Sequence, residues 1–277
     1  MSQQHAIDVA LGERFEFGKN WVRFLKTLDG RRIADAESSL QSMLETASLA
    51  GTSFLDIGSG SGLFSLAARR LGARVHSFDF DPHSVSCTLE LKRRYFPGDP
   101  AWTVQSGSAL DEAYIRSLGS FDVVYSWGVL HHTGNMWQGL ALAAIPVAPG
   151  GKLFVAIYHD RGTASRRWRR VKQLYNDLPR PLRFVAVAPS FLVLNWRPLL
   201  KDCLRLNPFR SIRDYGRNNR GMSFWQDLID WVGGYPFEFA TPEQIFDFYK
   251  QRGFVLTRLQ TSFHACGCNQ FVFQKPA

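Results

Sequence analysis

The sequence predicts an α/β protein on an open, mostly parallel sheet with helices on both faces. Three observations predict it. Short apolar runs alternate with helix-period segments between residues 51 and 158, and again after 237. The first two runs end in an acid, Asp56 and Asp79, where open sheets of this kind place their ligand loops. The stretch Phe54-Leu55-Asp56-Ile57-Gly58-Ser59-Gly60-Ser61-Gly62-Leu63-Phe64 reads as a buried strand, a tight turn and a helix start. Glycines at such a turn permit positive φ and close approach of a ligand, and the helix beyond offers unpaired N–H groups.

Composition sets the bounds. The chain has 277 residues, 45% hydrophobic and 14% aromatic, enough for one large domain or a core with an elaboration. A net charge of +9 permits an anionic partner such as RNA, an anionic membrane or a phosphorylated substrate, without choosing among them. Cys87, Cys203, Cys266 and Cys268 are too few and scattered for a disulfide framework. They read as reduced thiols of a cytoplasmic protein. Met1 to Ala10 lacks the pattern of a signal peptide, and no run reaches the roughly 18 apolar residues of a spanning helix.

Residues 1–50 read as a helical cap, with Phe15, Phe17, Trp21, Phe24 and Leu25 interleaved with basic residues and an amphipathic helix at 33–49. The core, 51–158, follows. Helix one runs from Leu63 to Leu71. Strand two is Val75–Asp79, seventeen residues after Gly62, and its terminal acid can accept both hydroxyls of a ribose. Asp81 or Ser84 caps the helix opened by Pro82. Strand three is Trp102–Gln105, strand four Phe121–Ser126, and strand five follows Pro149-Gly150-Gly151 to Tyr158. An interruption fills 159–236. The chain returns to the core at 237–277, where Thr241, Pro242 and Gln244 open a helix. The runs 254–259 and 270–274 are strands six and seven.

The turn is not a dinucleotide fingerprint, because Leu63 stands where its third glycine would be. Asp-x-Gly-x-Gly-x-Gly resembles the first motif of the class I S-adenosylmethionine (SAM) dependent methyltransferases. The run FDVVYSWGVLHHT, 121–133, resembles the fourth motif, and Pro149-Gly150-Gly151 before an apolar strand matches the same family. In overall look the chain is similar to quinone and small-molecule methylases, and to methyltransferases found with cell-surface polysaccharide enzymes. The resemblance implies a seven-stranded Rossmann-like sheet whose last strand is antiparallel, with N-terminal helices and a largely helical insertion after strand five. It implies SAM as cofactor, held by Asp56, Gly58, Ser59, Gly60, Gly62, Asp79, Phe80, Ser108, Ala109, Ser126 and Trp127. Ser108 stands where the family often carries an acid that bonds adenine. No metal is implied, because no acid cluster resembles that of catechol-type enzymes.

An insertion here builds the acceptor pocket in this family, so Tyr158, Asp214, Tyr215 and Trp225 are candidate substrate contacts. Arg166-Arg167-Trp168-Arg169-Arg170 reads as a solvated helix face or an anion site. The apolar, proline-punctuated segment Phe184 to Trp196 reads as a buried lid or as an element dipping into a membrane surface. The aromatic run around Trp225, Trp231, Tyr235 and Phe237 reads as pocket lining or as core. His131 and His132 end strand four, and either is a candidate base for a hydroxyl acceptor or a shaper of the loop. His159 is a second candidate and His264 a weaker one.

The expected function is O-methylation of a small molecule, a sugar or a lipid-linked intermediate, in the cytoplasm or at the inner face of a membrane. RNA methylation is the alternative raised by the positive charge. Against it, Ser126-Trp127-Gly128 stands where base-amine methylases carry Asn/Asp-Pro-Pro-Tyr. A non-catalytic SAM-binding protein is the third reading.

Overall fold

The computed structural model describes residues 2–215, 224–262 and 267–277. Seven strands form one sheet: β1 (Ser53–Ile57), β2 (Arg74–Asp79), β3 (Trp102–Ser106), β4 (Phe121–Trp127), β5 (Val147–Tyr158), β6 (Val255–Gln260) and β7 (Cys268–Gln274). Their order is β3-β2-β1-β4-β5-β7-β6. The first five pair in parallel, and β7 runs antiparallel between β5 and β6. This is the Rossmann-like methyltransferase sheet. After β3 the chain crosses to the other side of β1, so the carboxyl ends of β1 and β4 flank the point where strand order reverses. Open sheets leave a crevice there.

Successive strand residues point to opposite faces, and both faces are covered. Phe54 belongs to the core under α2 (Gly18–Thr27), α3 (Gly30–Leu44), α4 (Leu63–Arg70) and α5 (Pro82–Tyr95). Its neighbour Leu55 belongs to the opposite core, which also takes Leu140 from helix α7 (Met136–Ala144) and Ile245 from the helix Pro242–Lys250. A third core, with Tyr175, Ala186, Phe224, Leu228 and Val232, unites three helices of the segment after β5. They are α8 (Thr163–Asp177), α9 (Phe184–Leu204) and the helix Phe224–Gly233.

Local capping sets several boundaries. Asp81, not Ser84, caps α5 by accepting the His83 N–H, and Pro82 follows at the first helical position. Thr241 and Gln244 form a reciprocal capping box. The helix expected over 33–49 runs instead from Gly30 to Leu44, because Asp29 caps it and Glu45 turns left-handed at φ 52°. The segment with Pro189 and Pro198 is one continuous helix. Both prolines lie on its exposed side, where water can solvate a carbonyl that loses its N–H partner.

Candidate functional site

A cavity of about 1180 Å³ opens at the carboxyl ends of the central strands. Its floor is the β1 turn. Gly58, Gly60 and Gly62 all have positive φ, 78°, 54° and 80°. A Cβ at Gly58 would stand 2.4 Å from the Val129 side chain, and one at Gly60 3.2 Å from the Trp21 indole nitrogen. The turn is therefore shaped by the loop after β4 and by α2. The Gly58 and Ser59 N–H groups both donate to the Phe78 carbonyl, at 2.9 and 3.0 Å.

Two acids end the first two strands. Asp79 lines the cavity and accepts the N–H groups of Gly60 and Asp81, each at 2.9 Å. Burial pushes its carboxyl up to about 6. Asp56 is buried, and burial pushes it up to about 7. It ends a donor chain. The Trp102 indole N–H donates to Ser77, and Ser65 donates to Asp56, so the Ser77 hydroxyl donates to Ser65. Every hydroxyl hydrogen in this buried network has one acceptor.

The N-terminal segment closes over the site. Asp81 accepts the Gly18 N–H at 2.8 Å and lies 3.5 Å from His5. Phe80 meets the His5 ring edge-on, and the Arg14 guanidinium sits 4.9 Å above it. Ser108 and Ala109 line the same wall, and the Ser108 hydroxyl accepts the Leu110 N–H.

The loop after β4 separates residues that the sequence left together. Trp127 lines the cavity. Ser126 does not: its buried hydroxyl donates to the Ile57 carbonyl and ties β4 to β1. His131 is also kept from the cavity. It is fully buried, its ring lies 4.0 Å from the Tyr158 ring, and its Nδ1 accepts the Tyr158 N–H. Burial holds it neutral, well below the usual histidine range. His132 lines the cavity, with Nδ1 2.6 Å from the Pro236 carbonyl. A carbonyl only accepts, so Nδ1 carries the hydrogen and Nε2 keeps its lone pair. Burial pulls His132 down to about 3.

His159 stands off the cavity, its Nδ1 taking the Asn269 amide at 2.9 Å. His264 and Cys266 lie outside the described residues, as do 216–223. Of the four candidate substrate contacts, Tyr158 and Tyr215 line the cavity. Asp214 instead pairs with Arg210 on the surface, and Trp225 is 53% exposed and stacked on Phe191. The sequence reading passed over His5, Arg14 and Leu194 as lining residues. Only the aromatic interleaving of 15–28 hinted that this end meets the site; nothing near Arg14 distinguishes it from other arginines.

The methyltransferase domain family matches residues 55–153. The tRNA U34 carboxymethyltransferase of Methylococcus capsulatus is 35% identical over 121 residues, 43% of this chain and 36% of that protein. The ubiquinone biosynthesis O-methyltransferase of Xanthomonas oryzae is 33% identical over 108 residues, 39% of this chain and 44% of that protein. The matches thus span less than half the length of these relatives. Among solved structures, the SAH-bound magnesium protoporphyrin IX methyltransferase of Synechocystis superposes at TM-score 0.56 with 14% identity over 93% of both chains. A putative methyltransferase of Haloferax volcanii, solved with its Trm112 activator, gives 0.53 with 13% identity over 96% of this chain and 98% of that one.

The site suits SAM. Asp79 presents an acceptor carboxylate on the wall, and the glycine turn lets the backbone approach a ligand. Besides the buried Asp56, the described lining residues set Asp79, Asp81 and Asp230 against a single Arg or Lys, Arg14, a balance that favours a ligand bearing sulfonium and ammonium charges. Residues 55–153 match the methyltransferase domain family, and the sheet order around them is that of the Rossmann-like methyltransferase fold.

Proposed function

We propose that the protein methylates an oxygen of a small, largely apolar acceptor, a small molecule or the head of a lipid- or sugar-linked intermediate. The observation that carries this reading is His132, a neutral imidazole on the cavity wall whose Nε2 is its free base. Bound SAM supplies a methyl group already activated by its sulfonium. The chain's residues do the rest. Asp79 would accept the ribose hydroxyls, the β1 turn would hold the methionine portion, and Phe80, Ser108 and Ala109 would border the base. His132 Nε2 would accept the hydrogen bond of the acceptor's hydroxyl and orient its oxygen as the new oxygen–carbon bond forms; an imidazole pulled down to about 3 is a weak base, so its part is mainly alignment. Proximity and exclusion of water supply the remainder.

The acceptor side is aromatic and apolar. Phe17 lies 4.8 Å and Tyr158 5.4 Å from the His132 ring, and Trp231 5.7 Å from Tyr158. Leu194, Phe224 and Leu228 extend this wall from the segment after β5. The relatives named for ubiquinone biosynthesis are O-methyltransferases, which supports an oxygen acceptor.

The test is mass spectrometry of cell extracts incubated with the enzyme and deuterated-methyl SAM. The expected outcome is a labelled, nuclease-resistant O-methyl product. With it in hand, His132→Ala should lower kcat roughly 10²-fold with SAM affinity unchanged. A nuclease-sensitive product would move the acceptor to nucleic acid. SAM binding without labelling of any extract would leave a non-catalytic binder.

A further inference from the structure

The helix Phe184–Leu204 is apolar on two sides. Its inner side packs Ala186 into the third core and sends Leu194 and Asn195 to the cavity wall. Its outer side carries Phe184 and then, at four-residue spacing, Leu192, Trp196, Leu200 and Leu204, each more than half exposed. Val193, 64% exposed, widens this stripe. The helix Phe224–Gly233 repeats the arrangement: Phe224, Leu228 and Val232 are buried, while Trp225 and Ile229 face outward beside it. Isolated exposed apolar side chains need no explanation, but a continuous stripe along a 21-residue helix does.

The rim of this face is basic. Between residues 178 and 213 the sequence has seven Arg or Lys and one acid. That acid, Asp202, is buried and already accepts both the N–H and the hydroxyl of Ser211. Arg180, Arg197, Lys201, Arg205 and Arg210 are exposed around the stripe. The helix cannot cross a bilayer, since no described helix is long and apolar enough. An apolar stripe with a cationic rim instead matches an element lying in the plane of a membrane surface.

We propose that this face docks on an anionic phospholipid bilayer, with Leu192, Val193 and Trp196 entering the headgroup–acyl boundary and the arginines and lysine meeting lipid phosphates. Charge decides among occupants. Two copies joined through this face would bring together two rims that stay in cationic excess even with Arg210 paired to Asp214, which disfavours self-association. A nucleic acid would use the cations but leave the aliphatic stripe uncovered. The docked surface lies about one helix diameter, ~10 Å, from the cavity wall formed by the same helix. The docking does not depend on the acceptor or on methyl transfer.

Flotation with vesicles tests it, using phosphatidylcholine alone or with roughly 30% phosphatidylglycerol, the anionic component that basic segments recognise. The wild type should float with the anionic vesicles at least ten-fold more than with the neutral ones, and lose most binding in high salt. The variant Leu192→Ser/Val193→Ser/Trp196→Ser should lose at least ten-fold in partitioning. Arg197→Gln/Lys201→Gln/Arg205→Gln should lose several-fold. Both sets are exposed, so melting temperature and calorimetric SAM affinity should match the wild type. Failure of the wild type to float overturns the proposal, and so does equal flotation of the triple-serine variant. A wild-type dimer that this variant dissociates, with no vesicle binding, would assign the face to a second copy instead.

Discussion

Asp79 and Asp56 both end central strands, yet their surroundings assign them different work. Asp79 reaches the cavity, so its ionised form is the one a hydroxyl donor needs. Because its pKa lies near 6, SAM affinity should be flat above about pH 7 and fall as pH drops through 6, measured by calorimetry. Asp79→Ala should cost roughly 100-fold in affinity at neutral pH, since bonds to a charged partner are worth about 1.5–3 kcal/mol each. Asp56 is buried, and its pKa stands near 7 against 3.8 when free. A raised carboxylate pKa means that stability is fullest below about pH 4 and is lost as pH rises toward 7. Buried histidines run the other way: His131 and His132, with lowered pKa values, lose stability as pH falls below 6.5. The two trends overlap in the wild type, so the comparison with Asp56→Asn is the informative one. The melting temperature of that variant relative to wild type should climb between pH 5 and 8, by an amount on the order of a few kcal/mol in stability. A constant difference would remove Asp56 from the account.

Elements meet at the site because each fills space left by another. The β1 turn needs glycine at position 58 for two reasons: its φ is 78°, and Val129 from the loop after β4 occupies the place of a Cβ. Gly58→Ala should therefore destabilise by about 1–3 kcal/mol in chemical denaturation, beyond the usual strain of a left-handed alanine. Adding Val129→Ala should recover part of that loss, because contacting residues couple. If the two losses simply add, the contact is not what makes the glycine necessary. The box that opens the helix Pro242–Lys250 is simpler, and Thr241→Ala should cost ~1 kcal/mol.

Across the whole molecule, the N-terminal segment is latched to the loop after β2 through Asp81 and Phe80, and its backbone bond there is that of Gly18. Gly18 donates to Asp81, and a Cβ at Gly18 would stand 2.4 Å from that carboxylate. The Asn20 amide and Asp230 bond across to the helix Phe224–Gly233, so both flanking helical regions share this closure. Gly18→Ala leaves Asp81 to cap α5 while wedging the latch. Amide exchange over residues 4–27 should accelerate, and SAM affinity should fall several-fold, while exchange in the central strands stays unchanged. Unaltered exchange in the N-terminal helices would mean that the latch does not hold them.

Much of this architecture was readable from neighbours in sequence. Asp81 and Thr241 cap helices by bonding within three residues, and the alternating glycines after Asp56 set a turn through their own backbone freedom, whereas the Asp29 cap that moves its helix to Gly30–Leu44 went unread. The apolar strand runs and their terminal acids set the α/β order and the side on which ligands would bind. Only the tertiary structure chose between His131 and His132. Adjacent and alike in sequence, they are told apart by Tyr158, which engages one, and by Pro236, 104 residues away, whose carbonyl orients the other. It also brought Arg14 to the cavity wall. The segment from Phe184 onward is apolar on both sides, so hydropathy alone could not say which side packs. That was decided by which partner helices had a core to complete, and it left the other side facing outward.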